Sequence, residues 1–585
     1  MLGKMNTYQP KHLDALFVKR MTVVRGCFLF LFTVIFCGLV YRQILRPAES
    51  PGKIVRLEIP VARGRILDRN GTVLATSLPA YGLYLDYWAI REQEKKEPTY
   101  QQHLKSILKT TLRMTDGEIE ERTRPPYPLV RRILSLSEYE ELTKANLPGL
   151  VFVKAYQRVY PFGPLAAHLL GFTGNDGEGL EGLELFYDSF LKGKDGLSLV
   201  PRDGQGSLVP SLERVLRFPE PGGDLTLTID FTIQSILEQE LEKGQKLFNP
   251  LNIVGIVMEA TTGEILALAN RPAYDPNQFG RCPAAYRRNK AVTDYFEPGS
   301  IFKIVTAAAC LEEKVARLGQ TIFCENGRWY VREHWLHDVH PYGNLTFEQV
   351  IIKSSNIGTV KLAMRLEEER LYHYCRLFGF GQLTGIDLPG EIPGVLRDLS
   401  DWSSYSITAV PIGQEVGITA LQAVRAMAVL ANGGSLVKPQ ITRQLKVGGT
   451  RIPVYTERQP VRILSEETCQ ILSRILEKVV SSEGTAVRAF IPGYHICGKT
   501  GTAQKVVGRK YSSQVVASFV GYLVHPQAKL VVLISVDEPK GAQFGGVVAA
   551  PIFHDVVWRI IQYKKLPPQG DQEIVSSFGG NSSTN

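Results

Sequence analysis

Ser300 and Lys303 stand three residues apart in Glu297-Pro298-Gly299-Ser300-Ile301-Phe302-Lys303, directly ahead of the apolar run 304–311. Pro298-Gly299 is turn chemistry, and the residues after it read as a helix that buries most of its surface. The spacing puts the Lys303 amine on the same face as the Ser300 hydroxyl, in a first turn where free backbone N–H groups favour negative charge. A serine hydroxyl becomes a useful nucleophile only when a neighbouring base takes its proton, and this pairing supplies one. Alone the pattern says little, because Ser-x-x-Lys also begins at Ser50, Ser106, Ser189 and Ser435. Two further stretches give it weight: Ser354-Ser355-Asn356, and much later Lys499-Thr500-Gly501-Thr502. The short Ser-x-Asn pattern recurs at Ser583, so the order of all three stretches carries the inference rather than any one of them.

These residues need elements to hold them. With 585 residues the chain exceeds one core, and two or more soluble modules are expected. Hydrophobic residues at 44% and charged residues at 21% are ordinary globular values. The net charge of +9 is spread out, which disfavours nucleic acid as a partner, and there is no Rossmann or P-loop glycine pattern. Eight cysteines without a Cys-x-x-Cys pair do not form a disulfide framework; free structural thiols are expected, with a Cys282–Cys324 pair left open. Pro219-Glu220-Pro221-Gly222-Gly223 reads as a linker, followed by a helix over 231–247. Runs 253–259 and 264–269 predict an antiparallel hairpin, helices dominate 300–480, and 515–524 with 530–536 predict a second hairpin. A helix over 549–563 closes the domain. Early strands, a long helical insertion and late strands imply an α+β domain with an antiparallel sheet flanked by helices.

The ordered trio resembles the active site of penicillin-binding proteins and serine β-lactamases. Arg63-Gly64-Arg65-Ile66-Leu67-Asp68-Arg69-Asn70-Gly71 and Arg158-Val159-Tyr160-Pro161-Phe162-Gly163, with Gly179-Leu180-Glu181-Gly182-Leu183-Glu184, are similar to the N-terminal module of class B penicillin-binding proteins. The resemblance runs from about 54 to 565 and implies a penicillin-binding/β-lactamase-like transpeptidase domain over 219–565. It implies an elongated pedestal (dimerisation-type) domain over 46–218 that does no chemistry, so Arg63, Asp68, Arg69 and Glu184 are expected to be structural or interfacial. It further implies a peptidoglycan D,D-transpeptidase that is also acylated by β-lactam antibiotics. Ser300 would be the nucleophile toward the penultimate D-Ala carbonyl of a stem peptide and Lys303 its general base. Ser354 would relay a proton, Asn356 would bind Lys303 and the substrate amide, and Lys499 would supply charge. Ser355, Thr500, Gly501 and Thr502 would bind substrate, with Gly501 letting it approach the strand. No cofactor is implied. A membrane glycosyltransferase of the SEDS type and other divisome proteins are the implied partners, and Val292-Thr293-Asp294-Tyr295-Phe296-Glu297 resembles the septal, FtsI-like branch more than the elongation branch. A β-lactamase and a non-catalytic scaffold are competing readings, disfavoured by the pedestal and by the intact trio.

One cluster stands apart. Cys324, His334, His337, Asp338 and His340 could supply a structural zinc site, the competing reading being ordinary packing in a loop or hairpin.

Residues 1–20 are polar and basic and read as a cytoplasmic tail; 21–45 read as a transmembrane anchor with the N-terminus inside and the catalytic domain outside. Polar residues 566–585 read as a disordered tail. A cleaved signal peptide is the alternative to the anchor, but no small-x-small cleavage site follows the apolar run. The retained anchor predicts a mature N-terminus at or near Met1; terminal sequencing that began near Arg46 or Ala48 would contradict it.

Overall fold

The computed structural model describes residues 15–41, 55–122, 129–174, 176–201, 210–454, 460–508 and 510–569. The tail over 1–14, the stretch with Ser50, Arg46 and Ala48, and the C-terminal residues from 570 on lie outside the described residues. Residues Ala15–Val40 form one helix, of which Val18–Val40 is long and apolar enough to cross a membrane and contains no buried residue.

The catalytic half is built on five antiparallel strands: β1 (Asn252–Glu259), β2 (Ile265–Arg271), β3 (His495–Val507), β4 (Lys510–His525) and β5 (Ala528–Asp537), in the order β2-β1-β5-β4-β3. Both predicted hairpins are present, and β1 with β5 pairs the early strands to the late ones across the helical insertion. The strand alternation places Phe519 and Tyr522 on opposite faces. Helices α1 (Phe231–Phe248), α2 (Lys303–Glu312), α3 (Asn356–Leu366), α4 (Ala420–Ala431), α5 (Glu466–Val480) and α6 (Gly545–Lys564) complete the domain. The Phe519 ring meets Phe553 of α6 edge-on at 4.7 Å, while the Tyr522 hydroxyl bonds Ser473 of α5 at 2.6 Å. The sheet is therefore covered on both sides, which explains why β1, β2 and β5 are almost wholly buried apolar runs. Helix α2 is buried nearly all round, the pattern of a helix at the centre of a large core. The last helix begins at Gly545, four residues before the expected start.

The polar stretch after Asp86 forms helices Tyr87–Lys96, Tyr100–Leu112 and Asp116–Arg122 around a small separate core that includes Leu104, Leu108 and Leu142. The pedestal does not merely abut the catalytic half. Strand Ile66–Leu67 pairs in parallel with Asp224–Leu227, which in turn pairs with Thr442–Val447, so one sheet runs through both. Asp68 crosses the same boundary: it accepts from the backbone N–H groups of Asn70 and Thr72 in its own turn and from Phe231 at the start of α1. Arg69 reaches Glu264 in the connection between β1 and β2.

The two pedestal motifs meet at Glu184, which has no exposed surface. Its carboxylate accepts from Arg63 Nε at 2.6 Å, Arg158 Nε at 2.7 Å and the Tyr160 hydroxyl at 3.2 Å, while Arg63 also binds Asp188 at 2.7 Å. Arg63 and Glu184 thus hold the N-terminal module together, while Asp68 and Arg69 join it to the other half. Removing one partner from such a buried set leaves charge uncompensated. Glu184→Gln is expected to lower stability by about 3–5 kcal/mol, read by thermal or denaturant unfolding; wild-type stability would contradict this account of the cluster.

Candidate active site

Gly299–Phe302 forms a single 3-10 turn that leads into α2 at Lys303. This tightens the α-helical start expected from the sequence. In 3-10 geometry side chains three residues apart eclipse one another, so the Ser300 hydroxyl and the Lys303 side chain share a face. Ser300 remains partly exposed, whereas Lys303 is wholly buried. Two close backbone approaches hold the turn. Gly299 N–H donates to the Gly413 carbonyl at 3.1 Å, and a side chain at Gly413, whose φ is +79°, would lie 2.2 Å from the Gly299 carbonyl oxygen. A Cβ at Gly501 would lie 2.9 Å from the Pro298 oxygen and 2.5 Å from Ser518 Oγ. Substrate approach is the role expected of Gly501; its missing side chain admits the Ser300 turn against β3.

Lys303 Nζ donates to the Ser354 carbonyl at 2.6 Å and to Asn356 Oδ1 at 2.7 Å, and lies 3.3 Å from Ser354 Oγ. Lys499 Nζ donates to Ser354 Oγ at 2.9 Å from the other side. Ser354 therefore bridges two buried amines, and its backbone takes the left-handed conformation (φ +60°), uncommon for a residue with a side chain. Burial, then the like charge of Lys499, hold the Lys303 amine well below the usual lysine range, with the Asp338 carboxylate partly opposing. Burial pushes Lys499 down to about 7. A neutral lysine amine has two N–H groups and one lone pair. Here two carbonyl oxygens occupy the N–H groups, which leaves the lone pair to accept a hydroxyl proton.

Asn356 Nδ2 donates to the His337 carbonyl at 2.8 Å, which anchors the side chain and leaves one amide hydrogen still to give. Ser355 corrects another expectation. It has no exposed surface; its hydroxyl donates to Asp338 at 2.6 Å and caps α3 by accepting from Gly358 N–H at 2.9 Å. Ser355 is an N-cap serving the helix rather than a group facing substrate. Thr500 Oγ1 lies 3.0 Å from Thr485 Oγ1, and Thr502 Oγ1 accepts from Gly545 N–H at 3.1 Å where α6 begins. Both threonines sit on β3 beside the nucleophile turn, and each hydroxyl is oriented from behind.

The Cys/His cluster is dispersed. Asp338 caps α3, accepting from the backbone N–H groups of Asn356 and Ile357 as well as from Ser355. The His334 ring packs on Tyr405, His337 lies beside Trp335 and His340 beside Tyr342, while Cys324 is buried against Ser355. Among the described residues no three ligand-type side chains gather to hold a metal. His334–His337 is a strand paired with Arg328–Val331, so the i, i+3 histidine spacing never acts on a helical face. Cys282 and Cys324 are both free thiols. Three contributors escaped the sequence reading. Asp338 is visible only as a possible ligand, Thr485 gives no signal, and nothing in the sequence assigns Gly413 a role.

The buried lysines set a pH dependence of stability. Their folded-state affinities for protons lie below the unfolded value, so between the two the unfolded chain binds more protons and stability rises with pH. For Lys499 the window runs from about 7 to the ordinary lysine value of 10.5. Each such group contributes about 1.4 kcal/mol per pH unit inside its window. Denaturant unfolding from neutral pH to pH ~9.5 should show wild type gaining stability relative to Lys499→Met; parallel curves would contradict the burial of an uncharged amine.

Comparison with known proteins gives the family. Residues 253–557 match the penicillin binding protein transpeptidase domain and residues 58–227 the penicillin-binding protein dimerisation domain. Stage V sporulation protein D of Bacillus subtilis is 36% identical over 87% of this chain and 79% of its own length. Peptidoglycan D,D-transpeptidase FtsI of Escherichia coli is 27% identical over 96% of this chain and 95% of its own. The crystal structure of penicillin binding protein 3 from Mycobacterium tuberculosis, complexed with ampicillin, superimposes with a TM-score of 0.69 at 28% identity, over 88% of this chain and 99% of that one. With a transpeptidase domain and a dimerisation domain both matched, and relatives similar along most of its length, the chain belongs to the class B penicillin-binding proteins.

Proposed function

We propose that this protein is a peptidoglycan D,D-transpeptidase working through a Ser300 acyl-enzyme. The observation that carries the reading is the desolvated Lys303 amine, with both N–H groups engaged and the Ser300 side chain three residues earlier on the same turn. Lys303 takes the Ser300 proton as Oγ attacks the penultimate D-Ala carbonyl of a stem peptide. The backbone N–H groups of Ser300 and Thr502 hold the oxyanion, a donor of this kind being worth about 2.7–4 kcal/mol. Collapse breaks the C–N bond, and the leaving D-Ala amine receives a proton passed through Ser354, which touches both Lys303 and Lys499. An amine of a second stem peptide then attacks the ester, Oγ recovers its proton and a cross-link remains. Thr500, Thr502 and Lys499 receive the terminal carboxylate of the donor. A β-lactam enters by the same attack and stays as the acyl group.

The N-terminal helix anchors the protein in the cytoplasmic membrane by a single pass, with Lys19 and Arg20 on the inner side and residues 46–218 lifting the transpeptidase domain (219–565) on the outer side. The septal branch is the reading favoured for its cellular role, supported by similarity to FtsI across nearly the full length of both chains, with a SEDS-type glycosyltransferase and other divisome proteins as partners. The higher identity to a protein named for sporulation favours a second reading, the same chemistry deployed in a sporulation-specific wall. Elongation is the remaining alternative.

Intact-protein mass after benzylpenicillin tests the chemistry. Wild type should gain one acyl adduct at Ser300, Ser300→Ala none, and Lys303→Arg almost none, because a guanidinium cannot be neutral near pH ~7. An adduct on Ser300→Ala, or one mapped to Ser106, Ser189 or Ser435, would overturn the assignment.

A further inference from the structure

The hairpin that anchors Asn356 carries a second surface. Its strands Arg328–Val331 and His334–His337 pair Tyr330 opposite Trp335 and Arg328 opposite His337. Strand alternation puts these four side chains on one face, and the other face turns inward through Val331 and Leu336, both buried. The outer face is unusually aromatic for a surface: Tyr330 is 57% and Trp335 51% exposed. Their rings lie 5.2 Å apart at 58°, and the Arg328 guanidinium sits 4.1 Å over the indole, which fixes its plane. His337 adds a ring nitrogen beside the indole at 6.4 Å between centroids. The surface is continuous with the reaction centre, because the His337 carbonyl holds the side chain of Asn356, which in turn holds Lys303.

We infer that the Tyr330–Trp335 face, flanked by Arg328 and His337, binds the saccharide chain to which the stem peptides are attached. Resting on the proposed function, this adds a glycan subsite to the peptide site. The chemistry fits the occupant. Axial C–H groups of an N-acetylated hexosamine lie against aromatic faces held rigid in advance, so binding orders few rotors. The guanidinium and imidazole donors reach hydroxyl and acetyl oxygens at the ring edge. An apolar protein segment would use the rings but leave both donors facing nothing, and the hairpin is two strands wide, which suits an extended polymer lying across it. A glycan held here fixes where the stem peptide begins and so limits which peptides reach Ser300.

The test uses the full-length protein in detergent and peptide-free glycan strands of alternating N-acetylated hexosamines, with affinity measured by calorimetry. Wild type should bind, and Trp335→Ala and Tyr330→Ala should each weaken binding about tenfold, the size of one lost ring contact. Trp335→Phe should retain most of the affinity, which separates a ring contact from a folding defect. Benzylpenicillin acylation, measured on the same samples, should match wild type in all three variants. No glycan binding by a wild type that acylates normally, or equal binding by Trp335→Ala, would overturn the inference while leaving the transpeptidase reading intact. Loss of acylation in wild type would instead overturn that reading.

Discussion

Two lysine amines buried around one serine hydroxyl are the constraint on which the site depends. An ammonium ion taken out of water is costly, so the fold must either neutralise it or pair it. This chain gives neither lysine an ion pair among the described residues and instead surrounds them with neutral acceptors: the Ser354 carbonyl and hydroxyl, Asn356 Oδ1 and the Thr500 carbonyl. Asp338 is close enough to raise Lys303 somewhat, yet its oxygens are committed to Ser355 and to the start of α3. In the proposed mechanism this cost of burial is what lets the Lys303 amine act as a base. The rest of the domain follows from keeping water out of this place and the three segments in register.

That register comes from contacts distant in sequence. The nucleophile turn is pinned between Gly413 and Gly501, the Ser354 turn is clamped by Asp338 and the His337 carbonyl, and β3 is oriented by Thr485 and by the first turn of α6. The pedestal enters the same framework through the sheet that continues from Ile66–Leu67 to Thr442–Val447 and through Asp68 at the head of α1. A load on the pedestal therefore bears directly on the elements that carry the catalytic strands.

Much of this was legible in the sequence. The strand runs of β1, β2, β4 and β5 are apolar over their buried lengths, and the Ser300, Ser354 and Lys499 segments were found from residue type and order alone. What escaped was whatever depends on pairing across the chain. Ser355 sits between two residues that bind Lys303, and nothing local distinguishes a cap from a ligand contact. The histidines at 334, 337 and 340 have helical spacing, but their partners lie across a hairpin and in the 405 region. Gly501 looked like room for substrate because the turn it accommodates lies two hundred residues earlier. The shared interdomain sheet could not be read at all, since a two-residue strand gains its identity only from the neighbour it meets.

The most direct test of the central claim is the pH dependence of Ser300 acylation by a β-lactam whose own charge is constant over the range. The rate constant should rise with pH to a plateau whose midpoint lies well below the ordinary lysine value of ~10.4. Removing the neighbouring charge with Lys499→Ala should move that midpoint upward, because a like charge no longer opposes protonation of Lys303. A midpoint at the ordinary lysine value, or one indifferent to Lys499, would contradict the account.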